Sequence, residues 1–513
     1  GTGAVSVRGI GGAPNTGILV VIDGRPEYQA LMGHPVPDMY TLSDAASVRI
    51  TQGPASVLYG SNAMGGAIEI RPARPEAGVS TRLTSSMGSW WTTQNRLQHG
   101  AKFDRAFYTF NAGYSGTSGE RPSSDFRNPD ATFAAGGDLG EHWKTSWQGR
   151  YGWFHVEDPG PVTAPLAGSY ARVGRGGYGL NFDNAYSRSH GYARLYGSWG
   201  RHFIADGFRS TDSIQGARAM QTVLLHPSLT VDFGGEANFY GGAARNVRQA
   251  LNYGDHGLKE GAGFTRAQWS AGTRLLMTGG FRYHRHSLYG GLPVPEFNAT
   301  FRLAPRYSIS GGFSRGFRNP TIRELYLFPA PNPLLKPERL WNYQGTIHAQ
   351  PAAWLTAWAT YYYAGLSNQI ITLGRFPNLQ LRNAGAALNR GVEASAQIRP
   401  SRNVMITAGY AYLRSTNLAP LIPANKFNGS IQWQKGKFNT TLSAMAVGER
   451  WASAAKTQKL GRYAVMTWQN TLRFNSRWSA FALVDNLLNR DYQVLPGYPM
   501  PATNAMGGFT LTF

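Results

Sequence analysis

The sequence predicts an all-β transmembrane barrel, and three observations carry that reading. From Val79 onward, strand-like runs of roughly ten residues alternate apolar and polar side chains with period two. Short polar links and longer segments separate these runs in turn, as one wall with turns on one side and loops on the other requires. No stretch of about 18 apolar residues occurs, so the chain offers no helical span. A barrel strand never looks apolar in a window, because lipid-facing and lumen-facing residues alternate along it.

Composition bounds the class. Charged residues are 15%, aromatics 13% and glycines 63 of 513 residues, a balance poor for a soluble enzyme and natural for strands, aromatic girdles and turns. A formal charge of +22 with pI near 10.1 suggests nucleic acid in a cytosolic protein. Here the basic residues are scattered, with many arginines at predicted strand ends where anionic lipid headgroups lie, so no nucleic-acid partner is expected. The absence of cysteine excludes disulfides and thiolate metal sites. Gly1 opens a Gly-rich stretch without a basic or apolar leader, which for an exported protein reads as a chain that starts late.

In chain order, Val5-Ser6-Val7-Arg8-Gly9 reads as a short strand and turn, and Ile22-Asp23-Gly24-Arg25-Pro26 as a strand ending in a tight turn. Residues 48–70, VRITQGPASVLYGSNAMGGAIEI, set two β-rich runs around a stretch dense in Gly, Pro, Ser and Asn. The barrel runs follow. Tyr108, Phe110, Ala112 and Tyr114 share one side of a strand, as do Phe297, Ala299, Phe301 and Leu303, and Val404, Ile406, Ala408, Tyr410 and Tyr412. Short links are expected at Asp104, 141–144, 187–189, 226–228, Pro305, 350–353, 400–402, Gly436 and 475–477. Longer segments are expected at 118–130, 157–171, 246–257, 320–339, 366–381, 416–426 and 489–504. The final residues, Phe509-Thr510-Leu511-Thr512-Phe513, fit a closing strand with an aromatic end at the lipid interface.

Five motifs in order carry a resemblance. The string GPASVLYGSNAMGG and Ile22-Asp23-Gly24-Arg25-Pro26 resemble the plug domain of TonB-dependent outer-membrane receptors of the siderophore and cobalamin type. Phe317-Arg318-Asn319-Pro320 with Glu324-Leu325-Tyr326 and Asn332 to Glu338, Arg382 to Gly385 with Arg390-Gly391-Val392-Glu393, and Asp485 to Asn489 with Tyr492 are similar to that family's barrel motifs. The resemblance implies a small N-terminal α/β plug, its C-terminal portion at residues 1–76, inside a barrel at 77–513. The leader, any TonB box and the first part of the plug are expected to be missing. Counting runs from Val79 to Phe513 with this architecture in mind gives about 22, the number associated with plugged lumens.

That family implies TonB-dependent active uptake of a scarce nutrient across the bacterial outer membrane. Its implied partners are TonB with the inner-membrane energising complex, outer-membrane lipid and lipopolysaccharide, a small-molecule ligand and, in some cases, a surface lipoprotein. A ferric siderophore or other metal chelate is the expected cargo, carried without a covalent cofactor; cobalamin, copper and heme are the alternatives. Heme receptors of the family carry a His between two boxes where this chain, from Thr321 to Pro331, has none. A passive porin or an adhesin barrel is the competing class, though a porin has no use for residues 1–75. With no GxSxG, HExxH or P-loop, the chain is not expected to be an enzyme.

Candidate ligand residues follow from the resemblance, which makes 28–40 an apical plug loop: Tyr28, Met32, His34, Asp38, Met39 and Tyr40. Arg318, Tyr326 and Phe328 on a predicted outer loop suit a planar or anionic ligand. Met32, His34 and Met39 are soft or borderline donors and form a weak candidate copper set. His155, His202, His256, His284 and His286 also fall on segments read as outer. Asp23, Arg49 and Glu69 are expected to make charged contacts between plug and barrel. Gly24, Gly53, Pro54, Tyr59, Gly60, Gly65 and Gly66 are expected to shape the plug.

Overall fold

The computed structural model describes residues 5–12, 14–374 and 378–513. Residues 1–4 of the expected plug, and 375–377 of the expected outer segment 366–381, lie outside the described residues.

Twenty-two antiparallel strands, from Gly78–Gly88 to Asn504–Thr512, close into one barrel. Closure is by the C-terminal strand, whose Phe509 and Leu511 stand opposite Ser85 and Leu83 of the first. Closing the sheet removes the unpaired edges that lipid cannot hydrogen-bond. The period-two alternation decides which side chains meet lipid. In Glu338–Ala352, Glu338, Leu340 and Asn342 are buried toward the lumen while Arg339, Trp341 and Tyr343 are exposed. The exposed Phe297, Phe301, Leu303, Tyr410 and Tyr412 belong to the apolar and aromatic outer face that a membrane barrel presents.

Two-residue links such as 227–228, 305–306 and 436–437 lie on one side and long ones such as 158–169, 319–337 and 486–503 on the other. Two expectations are corrected. The predicted long segment 246–257 is only a four-residue link, 247–250, because the strand Leu251–Ala271 begins inside it. Likewise Phe126–Leu139 starts inside the predicted segment 118–130. Strands Phe208–His226, Leu229–Asn246 and Leu251–Ala271 run 19, 18 and 21 residues, well beyond the roughly 9–11 needed to cross a bilayer. Above the membrane neither face must be apolar, so the alternation that marks a strand fades there and Gly, Asn and Asp read as loop.

Inside the barrel sits a four-stranded sheet in the order Arg25–Pro26, Ile18–Ile22, Gly66–Pro72, Ala45–Gln52, with the short helix Ser56–Tyr59 beside it. Ile18–Ile22 is buried at every position and pairs in parallel with Gly66–Pro72, the pattern of a strand covered on both faces. A separate hairpin, Val5–Val7 with Ile10–Gly12, precedes it.

Candidate functional site

The turn after Ile18–Ile22 places the plug against the wall. Asp23 and Gly24 take φ of 49° and 79°, a left-handed pair that suits Asp-Gly. The turn pairs Val21 with Pro26 and Ile22 with Arg25. Arg194 of the barrel donates to the Asp23 carbonyl at 3.2 Å, and Asn181 donates to the Asp23 carboxylate at 3.3 Å. A Cβ at Gly24 collides with the Arg194 guanidinium. We therefore expect Gly24→Val to destabilise plug docking by about 1–3 kcal/mol from backbone strain and overpacking. Faster proteolysis of residues 20–40 checks this, and an unchanged digestion pattern contradicts it.

Beyond the turn lies a buried ion cluster that sequence reasoning missed. Glu27 of the plug has Arg150 at 2.7 Å and both Arg25 and Arg175 at 3.6 Å. Arg175 also donates to Asp212 at 3.0 Å and to the Tyr28 carbonyl at 3.1 Å. Asp212 accepts in turn from the Ala30 backbone N–H and lies 3.2 Å from His202 Nε2. Burial alone raises the Glu27 carboxyl, but Arg150, Arg25 and Arg175 outweigh it and hold the group below the ordinary carboxylate range. Glu27, Arg175 and Asp212 are all fully enclosed. Their sequence signal is positional: Arg175 and Asp212 occupy lumen-facing places in alternating strands, where a charge demands a partner.

The apical loop is occluded. Tyr28 is 8% exposed and meets Tyr240 edge to face at 6.3 Å. Met32 packs with Leu31, Phe208, Leu258, Ile322 and Leu325. Met39 belongs to a different cluster with Val36, Phe154 and Val173, bordered by Tyr40. The structure thus separates the two methionines of the suggested copper set. The third member, His34, has its imidazole Nδ1 at 2.9 Å from its neighbour's Pro35 carbonyl, and burial lowers its pKa. The Asp38 carbonyl accepts from Asn128, and the Tyr40 ring lies 5.6 Å from the Arg150 guanidinium.

The lid over this loop is the outer segment 319–337. Thr321 and Glu324 form a capping box at the start of helix Ile322–Tyr326, fixing its first turn. The helix then points Ile322 and Leu325 down onto Leu31 and Met32, and the Arg323 N–H donates to the Leu31 carbonyl at 2.8 Å. Arg318 corrects its own expectation. Rather than standing free for a ligand, it is buried and donates to Glu338 at 2.6 Å and Glu324 at 2.9 Å, so the motif folds the lid. Tyr326 and Phe328 do reach the mouth: Tyr326 stacks on His256 at 4.4 Å, and Phe328 lies 5.2 Å from Phe208 and 5.5 Å from Tyr253. These rings form an aromatic collar.

Of the remaining plug residues, Gly53, Pro54, Tyr59 and Gly60 fall at or beside plug–barrel contacts, while Arg49, Gly65, Gly66 and Glu69 do not. Arg49 is exposed on Ala45–Gln52 and makes no ion pair among the described residues, while Glu69 bonds to Arg71 of its own strand at 3.1 Å. Of the three residues expected to make charged contacts there, only Asp23 reaches the barrel, its carboxylate accepting from Asn181. The ion pairs between plug and barrel are made by Glu27 and by Arg8, which reaches Glu393 at 2.8 Å. Gly53 lies beside that Arg8 guanidinium, Pro54 lies against Gly316, and Gly65 and Gly66 pack on Ile10 and the Thr51 carbonyl. Arg218 lies over the Tyr59 ring, and Gly60, with φ of 74°, makes room for Arg282. His284 and His286 face the lumen, the first 3.6 Å from Glu260 and the second 3.0 Å from the Tyr240 hydroxyl.

Comparison with known proteins agrees with this geometry. The family model described as TonB dependent receptor-like, beta-barrel matches residues 72–487, and the TonB-dependent Receptor Plug Domain matches residues 1–67. The vitamin B12 transporter BtuB of Photobacterium profundum is 22% identical over 508 residues, covering 94% of this chain and 82% of the relative. Among solved structures, the copper transporter OprC has a TM-score of 0.86 at 17% identity, covering 99% and 92% of the two chains. The siderophore receptor PirA of Acinetobacter baumannii has a TM-score of 0.86 at 14% identity, with the same coverage. A plugged barrel whose sequence matches both family domains over most of its length belongs to the TonB-dependent receptors of the bacterial outer membrane.

Proposed function

We infer that this receptor actively imports a metal-bearing small molecule, a ferric siderophore or similar chelate, with TonB pulling on the plug. The observation that supports it is double closure: a plug strand buried at every position blocks the lumen, and a folded lid covers the plug apex. A passive porin needs neither. The aromatic collar of Tyr326, His256, Tyr253 and Phe328 suits a rigid ligand bearing rings. The relatives named above are described as carrying vitamin B12 and copper and as a siderophore receptor, and all three cargoes are or bind metals. Burial of Met32 and Met39 in separate clusters speaks against bare copper on those residues.

Cobalamin is the second reading, favoured by the sequence match that runs nearly the whole chain to a vitamin B12 transporter. Uptake of iron-55 catecholate and hydroxamate siderophores and of labelled cyanocobalamin, with and without TonB, tests both. Accumulation of an iron chelate only when TonB is present supports the first reading, and accumulation of cyanocobalamin alone supports the second. Equal uptake in both backgrounds sinks the active mechanism.

A further inference from the structure

We propose that Arg390 and Arg414, side by side on the lipid-facing wall near the outer rim, form a binding site for a phosphate of the saccharolipid that makes up the outer leaflet. Their orientation is settled by their neighbours. Asn389 and Glu393 flank Arg390 and both point inward onto Arg8 of the plug, so Arg390, one position from Asn389, faces out. Leu413 packs inward against Tyr362 and Ile422, so Arg414 faces out as well. Both arginines are exposed, and neither side chain has an ion-pair or hydrogen-bond partner among the described residues.

Arg390 and Arg414 are paired in register across adjacent antiparallel strands. Directly opposed side chains of this kind have Cβ atoms about 4.5–5.5 Å apart, and like charges there repel. An anion between them turns that repulsion into a two-sided clamp, since guanidiniums match phosphate oxygens in bidentate geometry. No protein carboxylate competes for the role: from Arg339 to Gly448 the only acidic residue is Glu393, which faces the lumen and is paired with Arg8.

Height fits a headgroup rather than acyl chains. Arg390 lies four residues into the strand Ala386–Ser401, just below the outer segment 368–385, and Arg414 is next to the last residue of Val404–Ser415. The same register row continues through Tyr363 to Tyr343, whose rings meet at 6.5 Å. Tyr410 and Tyr412 stand exposed beside Arg414. Aromatic rings with a basic pair above them mark the level where headgroup phosphates lie.

The test uses the full receptor extracted from outer membranes in mild detergent, with bound lipid read by native mass spectrometry. Wild type is expected to retain diphosphoryl lipid A, and the Arg390→Gln/Arg414→Gln variant to retain about tenfold less, as expected for losing charge-assisted hydrogen bonds. Arg390→Lys/Arg414→Lys keeps the charge and recovers most of the retention. Arg402→Gln/Lys437→Gln, in the links on the opposite rim, loses equal charge without effect. Reconstitution with dephosphorylated lipid A or with phosphatidylglycerol separates the sources, and only the phosphorylated saccharolipid is expected to discriminate wild type from variant. Equal retention by wild type and the Gln pair, or discrimination that persists without lipid A phosphate, overturns the proposal. Heat-modifiable gel mobility confirms that each barrel is folded. Should the double variant fail that check, Arg414→Gln alone is expected to lose about threefold, and no loss overturns the site.

Discussion

Oxidising a Gly33→Cys/Thr321→Cys pair is expected to abolish ligand uptake, and a reductant to restore it. A Cβ built on Gly33 lies 3.3 Å from Thr321 Cβ, close to the separation a disulfide spans. The chain has no cysteine of its own, so the bridge has no competitor. Gly33 has φ of 72°, which costs the introduced side chain about 1 kcal/mol or more, and Thr321→Cys gives up the N-cap hydroxyl, so the reduced double variant is the reference for uptake. The bridge ties the apical plug loop to the N-cap of the lid helix. If the receptor imports as proposed, these must part, because Leu31 and Met32 are sealed beneath Ile322 and Leu325. The expected readout is full uptake in reductant and near-background uptake after oxidation, with the cross-link followed by mass spectrometry. Undiminished uptake by fully cross-linked receptor shows that the lid and plug apex need not separate.

The second large effect is expected from Arg175→Met. Arg175 bonds both the plug, through Glu27 and the Tyr28 carbonyl, and the wall, through Asp212. Removing it leaves two enclosed carboxylates short of a counter-charge, a change worth about 3–5 kcal/mol in comparable buried pairs. Hydrogen exchange over residues 25–40 should accelerate, while the barrel strands stay protected. The sign with pH follows from Glu27, whose carboxyl is held below its ordinary value. The stabilisation it provides is present above the ordinary carboxylate pKa and lost as pH falls through the depressed value. Wild-type protection should therefore persist into mildly acidic buffer. In Arg175→Met the loss should begin at higher pH, and identical profiles contradict the latch.

The barrel was legible because lipid imposes a strict rule on each strand that crosses it. Phe297, Phe301 and Leu303 had to alternate with polar partners, and in the structure they stand exposed on the barrel wall. The rule lapses above the membrane, so the tall ends of Phe208–His226 and Leu251–Ala271 read as loop. The plug was legible through its turns, since Asp23-Gly24 can hardly serve another backbone. The ion cluster was not: Glu27, Arg175 and Asp212 are far apart in sequence, and a lone charge on an alternating strand does not announce which charge will face it. Arg318 shows the opposite failure. Its exposed-looking loop context suggested a ligand contact, and only the fold brings Glu324 and Glu338 around it.

The three tall strands bear on how the mouth moves. Their hydrogen-bond ladders continue past the membrane, with Asp212 opposite Gly242 and Asn246 opposite Leu251, so that side of the rim resists bending. Further round the rim, segment 319–337 is held to the plug and its neighbours at mid-length, through Arg323 to the Leu31 carbonyl and Asn332 to the Leu381 carbonyl. The stiff wall that carries Phe208, Tyr253 and His256 is thus the anvil of the collar, and Tyr326 and Phe328 rest on it from segment 319–337.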